Sequence, residues 1–240
     1  MLPVAILAGG LAERIRPLSE RIPKSLIEIA GRPFIDHQLE LLRSSGVRRV
    51  VLCLGFLGER IAEHVGDGMK HGLDIRCSFD GEARLGTGGA LRKALPLLGD
   101  EFFVLYGDSY LPIDFGAVEA AFEASGGKAL MTVYRNDGRW DESNAVFLPG
   151  EGDWGVVKTY SKVNRTPDMK YVDYGLSCCR ASELPREARA YFDLAEIFTG
   201  LAREGSLAGF EAKERFYEIG SFAGMDDFAL YMTKKQAEIK

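Results

Sequence analysis

The chain has 240 residues, 46% of them hydrophobic, and a formal net charge of −5 with acidic and basic residues interspersed. That length supports the core of one large α/β domain or of two intimately joined halves, and the scattered, net-acidic charge offers no footprint for a nucleic-acid backbone. No apolar stretch approaches the roughly 20 residues that span a bilayer, and the N-terminus opens on a core strand rather than a charged leader, so the sequence reads as a soluble, cytoplasmic protein with no membrane partner.

The apolar run Val4-Ala5-Ile6-Leu7 breaks into Ala8-Gly9-Gly10 and then reaches Arg14, Arg16, Arg21 and Lys24. A buried strand that runs out into small residues followed by local cations is the layout of a phosphate cradle, because glycines admit backbone N–H groups and the cations supply charge. A solvated basic turn would carry the same charges. No Gly-x-x-x-x-Gly-Lys-Ser/Thr run is present, and the residues after Gly9-Gly10 do not give the Gly-x-Gly-x-x-Gly spacing of dinucleotide enzymes, so both common phosphate loops are set aside.

Further along, residues 33–45 place Phe34, Ile35, Gln38, Leu39 and Leu42 on one helical stripe, with Gly46 as a stop. Residues 50–54 read as a buried strand, 59–65 as a short helix and 73–79 as a second strand. A helix is predicted from Thr87 to Leu95, ended by Pro96, and then a strand over 102–106. This alternation predicts an α/β fold, a Rossmann-like three-layer sandwich whose central mixed sheet is mostly parallel. Ligands of such sheets bind beyond the carboxyl ends of the strands, where Gly9-Gly10 and Tyr106-Gly107-Asp108 fall. After a helix at 114–124, segments 129–134, 145–148, 155–160 and 171–179 read as shorter strands joined by Gly, Asn, Asp and Pro turns, and helices return at 193–204 and 224–237. Cys53, Cys77, Cys178 and Cys179 lie in apolar settings without metal spacing and read as buried free thiols.

Leu7-Ala8-Gly9-Gly10-x-x-x-Arg14-x-x-Pro17-Leu18, followed by Pro23-Lys24-Ser25-Leu26, resembles the N-terminal signature of the sugar-1-phosphate nucleotidyltransferases. The usual form there is Gly-Gly-x-Gly-x-Arg-Leu-x-Pro and then Pro-Lys-Pro. Here Ala12 replaces the third glycine, Ile15 the leucine and Ser25 the proline, and an alanine is strained wherever the backbone needs a positive φ. The likeness runs through most of the chain and is closest to the short heptose-1-phosphate guanylyltransferases and N-acetylmuramate-1-phosphate uridylyltransferases.

The resemblance implies a set of site residues. Leu7, Ala8, Gly9, Gly10, Arg14 and Lys24 would bind the nucleotide, together with Gly86, Thr87 and Gly88 of Leu85-Gly86-Thr87-Gly88-Gly89-Ala90, a loop that lies along the nucleobase. The same loop reads equally as a helix N-cap with Thr87 as the capping residue. Asp108 is placed as a Mg2+ ligand, as suits a strand-end carboxylate, although it would serve as well to cap a turn. Phe216-Tyr217-Glu218-Ile219-Gly220-Ser221 resembles the late motif aromatic-x-Asp-x-Gly-Thr, so Glu218 becomes the second metal carboxylate on a longer arm. Asn144, Lys162, Asp173 and Gly175 would hold the sugar phosphate, and Trp140 and Trp154 either stack on a sugar or pack on the scaffold.

The expectation is a single domain over 1–240, with residues 1–110 as the nucleotide-binding half and 111–240 as a sugar-phosphate-binding lid. Its partners would be an NTP and a sugar 1-phosphate, with Arg14, Lys24 and Asp108 catalytic, in a monomer or homodimer. The product would be a nucleotide sugar for cell-surface polysaccharide or cell-wall metabolism. A second reading is a catalytically weak nucleotide-sugar sensor on the same fold, in which Ala12 and Glu218 mark a decayed metal site.

Overall fold

The computed structural model describes residues 1–10, 13–185 and 189–238, so Ala12 lies outside the described residues. The first half runs β1 (Val4–Ala8), the two-residue strands β2 (Glu28–Ile29) and β3 (Arg32–Pro33), α1 (Phe34–Ser44), β4 (Arg49–Leu54), α2 (Gly58–Val65), β5 (Asp74–Phe79), α3 (Gly86–Leu98) and β6 (Glu101–Tyr106). The second half holds β7 (Ser109–Tyr110), α4 (Phe115–Ser125), β8 (Ala129–Arg135), β9 (Ala145–Pro149), β10 (Gly155–Tyr160) and β11 (Tyr171–Arg180). It closes with α5 (Leu194–Arg203), β12 (Leu207–Ala212), β13 (Tyr217–Glu218) and α6 (Phe222–Glu238).

One mixed sheet passes through both halves in the order β5-β4-β1-β6-β11-β8-β12-β10-β9. Its first four strands are parallel, as helical crossovers require. The direction reverses at β11, which is antiparallel to both β6 and β8. The last strand, β9, pairs with β10 and again with β11 at Ala145 opposite Tyr171, so the far end of the sheet curls back on itself.

Side chains of β1 alternate between two cores. Val4 and Ile6 pack in a cluster with Leu39 and Leu42 of α1 and Phe115 of α4, whereas Ala5 belongs to a cluster with Leu91 of α3 and Phe198 of α5. Burial on both faces is why β1 reads as an unbroken apolar run rather than an alternating one. A third cluster joins Ile15, Ile29 and Phe34 to Ile219, Phe228 and Met232, fastening α6 to the arginine-bearing loop.

Besides the two-residue strands β2, β3, β7 and β13, three longer elements depart from expectation. Pro96 does not end α3, which continues two residues further to Leu98 before Gly99 closes the helix onto the Leu95 carbonyl at 3.2 Å; so near the end the proline costs the helix a single N–H donor. The last helix starts at Phe222, two residues before the expected 224, where the Ser221 hydroxyl accepts from the Gly224 N–H at 3.0 Å as an N-cap. Strand β12 was not anticipated: it inserts between β8 and β10, parallel to β8. Among the described residues, no helix is long and apolar enough to cross a membrane.

Candidate active site

A cleft of about 310 Å³ opens at the carboxyl ends of the parallel strands, within the size range of small-molecule sites. Leu7, Ala8, Gly9, Gly10, Lys24, Gly86, Thr87 and Asp108 all line it. Backbone meets backbone here: a Cβ at Gly55 would lie 2.8 Å from the Gly9 carbonyl oxygen, and one at Gly107 would lie 2.8 Å from the Leu7 oxygen. Only glycine allows the strand-end loops of β1, β4 and β6 to touch in this way.

Lys24 and Asp108, 84 residues apart, form the charged centre of the cleft. The Lys24 ammonium donates to Asp108 Oδ2 at 2.8 Å, with the lysine side chain 17% exposed and the aspartate 32%. A charge-assisted hydrogen bond of this kind contributes about 1.5–3 kcal/mol. The turn that carries Asp108 is fixed from several directions. Gln38, fully buried on α1, donates through Nε2 to the Tyr106 carbonyl at 3.0 Å and to the Ser109 carbonyl at 2.7 Å. Ser25 donates to the Gly107 carbonyl at 3.3 Å, and the Ile219 N–H donates to the Asp108 carbonyl at 3.0 Å.

Glu218 reaches the same neighbourhood through its backbone, since β13 pairs with β7 and sets Glu218 opposite Ser109. Its carboxylate is occupied elsewhere. Oε2 accepts from the Gly220 N–H at 2.5 Å and Oε1 from the Ser221 hydroxyl at 3.0 Å, so the longer arm folds over the turn that starts α6. Arg14 follows it: the guanidinium is 73% exposed and stands 3.9 Å from Glu218 Oε2 rather than on the cleft wall. No group of three or more His, Cys, Asp or Glu side chains suited to a metal occurs among the described residues.

The loop before α3 differs from its sequence reading. Thr87 is not the cap, because the helix already begins at Gly86. Capping comes from the segment before α5: Asp193 Oδ1 accepts from the Thr87 N–H and hydroxyl at 3.3 Å each, and the Phe192 carbonyl accepts from Gly88 at 3.0 Å and Gly89 at 3.3 Å. The Thr87, Gly88 and Gly89 amides of this loop are therefore engaged within the protein. Gly86 has φ +70°, and a Cβ there would lie 2.5 Å from the Phe192 oxygen. Gly88 faces the Phe192 ring, which would collide with a Cβ, and does not line the cleft.

Second-half residues form a hydrogen-bonded wall beside Tyr106. Asp173 accepts from the Tyr160 hydroxyl at 3.1 Å and from the Gly175 N–H at 3.1 Å, while its own N–H donates to the buried Asn144 Oδ1 at 2.9 Å. Gly175 has φ +104° within the irregular stretch of β11 that aims these groups. Lys162 donates to the Tyr106 hydroxyl at 3.3 Å. The lysine is accessible from the solvent side yet stands among enough protein atoms for desolvation to oppose its charge; Tyr106 and Asp173 more than offset this and raise its pKa. Burial, helped by Asp173, pushes the Tyr106 phenol up to about 12.

Sequence reasoning missed other parts of the site. Asp80, one residue past β5, lines the cleft and its carboxyl is raised by burial, against the pull of the Leu85 N–H and Lys93. The strand-end rule that singled out Asp108 would have found it. Phe56 and Tyr191 also line the cleft while 42% and 50% exposed. Trp140 stacks on the Arg215 guanidinium at 3.6 Å and Trp154 lines a separate cavity with Phe147 and Phe210, so neither faces this cleft. The four cysteines are free, and burial pushes the Cys53 and Cys179 thiols up to about 12.

The strand-end cleft, its glycine contacts and its Lys24–Asp108 pair are those of an α/β class that takes its ligand at the carboxyl edge of the sheet, and residues 4–144 match the nucleotidyl transferase family. The chain belongs to that family. It is 41% identical over 220 residues to N-acetylmuramate alpha-1-phosphate uridylyltransferase of Neisseria meningitidis serogroup B, covering 90% of this chain and 92% of that protein. It is 29% identical to the mannose-1-phosphate guanylyltransferase catalytic subunit beta of Danio rerio, covering 90% of this chain and 60% of that one. Among solved structures, HddC from Yersinia pseudotuberculosis complexed with GMP-PN shares the fold at a TM-score of 0.78 and 23% identity, covering 97% of this chain and 100% of that chain.

Proposed function

We propose that the chain transfers a nucleotidyl group from a nucleoside triphosphate to a sugar 1-phosphate and releases pyrophosphate. The observation that carries this reading is the convergence of the Gly9-Gly10 strand end, the Lys24 ammonium and the Asp108 carboxylate in one cleft, with Lys162 tied to the neighbouring Tyr106. The relatives named above act on sugar 1-phosphates, which supports the same substrate class here.

The acceptor phosphate is already anionic near neutral pH, so its oxygen attacks the α-phosphorus without a general base. A new P–O bond forms in line as the bond to pyrophosphate breaks. What the protein supplies is positioning and charge neutralisation. Leu7, Ala8, Gly9, Gly10, Gly86 and Thr87 shape the donor side, and Lys24 meets the triphosphate. Arg14 joins it only by leaving Glu218. Lys162 receives the acceptor phosphate, with Asp173, Asn144 and Gly175 shaping the wall for the sugar.

A hard divalent cation fits Asp108, since Mg2+ commonly takes one or two carboxylates and completes its shell with phosphate oxygens and water. When bound it would neutralise phosphate charge. Asp108 would hold it, whereas Glu218 already gives one acceptor site of each oxygen to Gly220 and Ser221 and faces the turn that starts α6. This favours Asp108 as the principal protein ligand.

Uracil is the better-supported donor base, because the 41% identical relative matched over 92% of its length is a uridylyltransferase. Guanine is the second reading, supported by guanylyltransferases matched over 60% of theirs. Pyrophosphate release measured for the four common NTPs against a panel of sugar 1-phosphates tests both points. UTP-dependent release is expected. Nucleotide binding without release from any pair would replace the enzyme reading with the sensor.

A further inference from the structure

Tyr106 closes β6, two residues before Asp108, and lines the cleft. Its hydroxyl accepts from the Lys162 ammonium at 3.3 Å, and the same ammonium stands 5.0 Å from the centre of its ring. Lys162 itself begins an exposed turn just past β10, where the Val163 and Asn164 N–H groups donate to the Ser161 hydroxyl at 3.2 and 2.8 Å. A lysine in such a turn ordinarily retains its side-chain freedom in water, and fixing it costs rotamer entropy. The ring and hydroxyl of Tyr106 offset that cost by giving the ammonium both a polar partner and an aromatic face. Asp173, the nearby carboxylate, is itself anchored by Tyr160 and Gly175 and favours the charged ammonium where Tyr106 holds it.

We propose that Tyr106 is the positioning residue for Lys162, holding its ammonium beside the cleft, where the phosphate of the incoming sugar 1-phosphate docks. This rests on the acceptor side of the function proposed above. Lys24 and Lys162 are then tethered to one strand end, the first through residue 108 and the second through residue 106. Tyr106 lines the cleft as well, but its hydroxyl is engaged by Lys162, so loss of the oxygen alone weighs on the acceptor side.

The test compares Tyr106→Phe, which keeps the ring and removes the oxygen, with Tyr106→Leu, which removes both. With NTP saturating, the KM for the sugar 1-phosphate should rise about five- to tenfold in Tyr106→Phe and further in Tyr106→Leu. The KM for NTP and the thermal midpoint should stay unchanged in Tyr106→Phe. A purely structural tyrosine would move the midpoint or both KM values together. A second readout needs no turnover: acylation of Lys162 by an amine-selective reagent, read by peptide mass spectrometry, should be faster in Tyr106→Phe because a released lysine is more often neutral. An unchanged acceptor KM in Tyr106→Phe overturns the proposal whatever the acylation shows. If the wild-type chain turns over no sugar 1-phosphate, the proposed reaction fails separately, and the acylation arm decides the tether alone, equal rates overturning it.

Discussion

The two walls of the cleft are made in different ways. On the parallel side the backbone does most of the construction: Gly9 against Gly55, Gly107 against Leu7 and Gly86 against Phe192 leave no room for side chains, and the polar centre is a single ion pair. On the second-half side Tyr106 lines the cleft and Asn144, Asp173, Tyr160 and Lys162 stand behind it rather than on the lining, with contacts that run from side chain to side chain or from side chain to backbone. A backbone-built wall suits a triphosphate, whose shape is the same for every base. A wall of side chains can be altered residue by residue, which suits an acceptor that differs from one family member to another.

Substitutions can break this contrast, and the largest effect belongs to the ion pair. Asp108→Ala is expected to lower turnover by about 10²–10³-fold, the usual loss for a preorganised charge contact; turnover near wild type at saturating Mg2+ would remove Asp108 from the chemistry. Gly86→Ala should destabilise the fold by about 1–3 kcal/mol, since φ +70° and the nearby Phe192 oxygen both oppose a Cβ. On the opposite wall, Asn144→Ala should cost only about 1 kcal/mol by chemical denaturation, the net value of one hydrogen bond to the Asp173 N–H. Equal losses from the two substitutions would erase the difference between backbone and side-chain construction.

Glu218 sharpens the comparison further. As a carboxylate folded over the start of α6, it should lose about 1 kcal/mol of stability on substitution by Ala and much less by Gln, which keeps an acceptor oxygen. Titration of Mn2+ by calorimetry should give equal affinity for wild type and Glu218→Gln; a large loss would make it a metal ligand after all. The smallest effect concerns Asp80. Its carboxyl is raised by burial, so its ionised form opposes folding, and this cost is present above the raised pKa and absent below the ordinary carboxylate range. Asp80→Asn should therefore melt at a higher temperature at pH 7, and thermal melts at falling pH should show the gain vanish.

Much of the parallel half is legible from local pattern. The β1 run declares itself because both of its faces are buried, the α1 stripe because one-sided burial imposes a period of 3.6 residues, and Gly9, Lys24 and Asp108 meet because strand ends in a parallel sheet lie side by side. Strand β12, Leu-Ala-Gly-Phe-Glu-Ala, lacks the β-branched residues that mark a strand, and Gly209 is there to admit the Phe147 ring, whose carbons a Cβ would meet at 2.7 Å. The cap on α3 was hidden for another reason. Its acceptor, Asp193, is 106 residues from Thr87, and no local spacing records a contact of that length. Glu218 shows a third limit, since a motif reveals which residue stands at a position but not which way a longer arm will fold.

Gln38 makes the angular setting of one helix a condition of the site. Its amide can reach the Tyr106 and Ser109 carbonyls only while α1 presents that face to β6. One residue gained or lost between the start of α1 and Gln38 would turn the amide by about 100° around the helix axis and leave both carbonyls without their donor. The same change after Leu42, beyond the last buried position of the stripe, would leave that angle as it is. The N-terminal part of α1 should thus be closed to insertions and deletions and its C-terminal end open to them, a boundary drawn by a side chain outside the cleft.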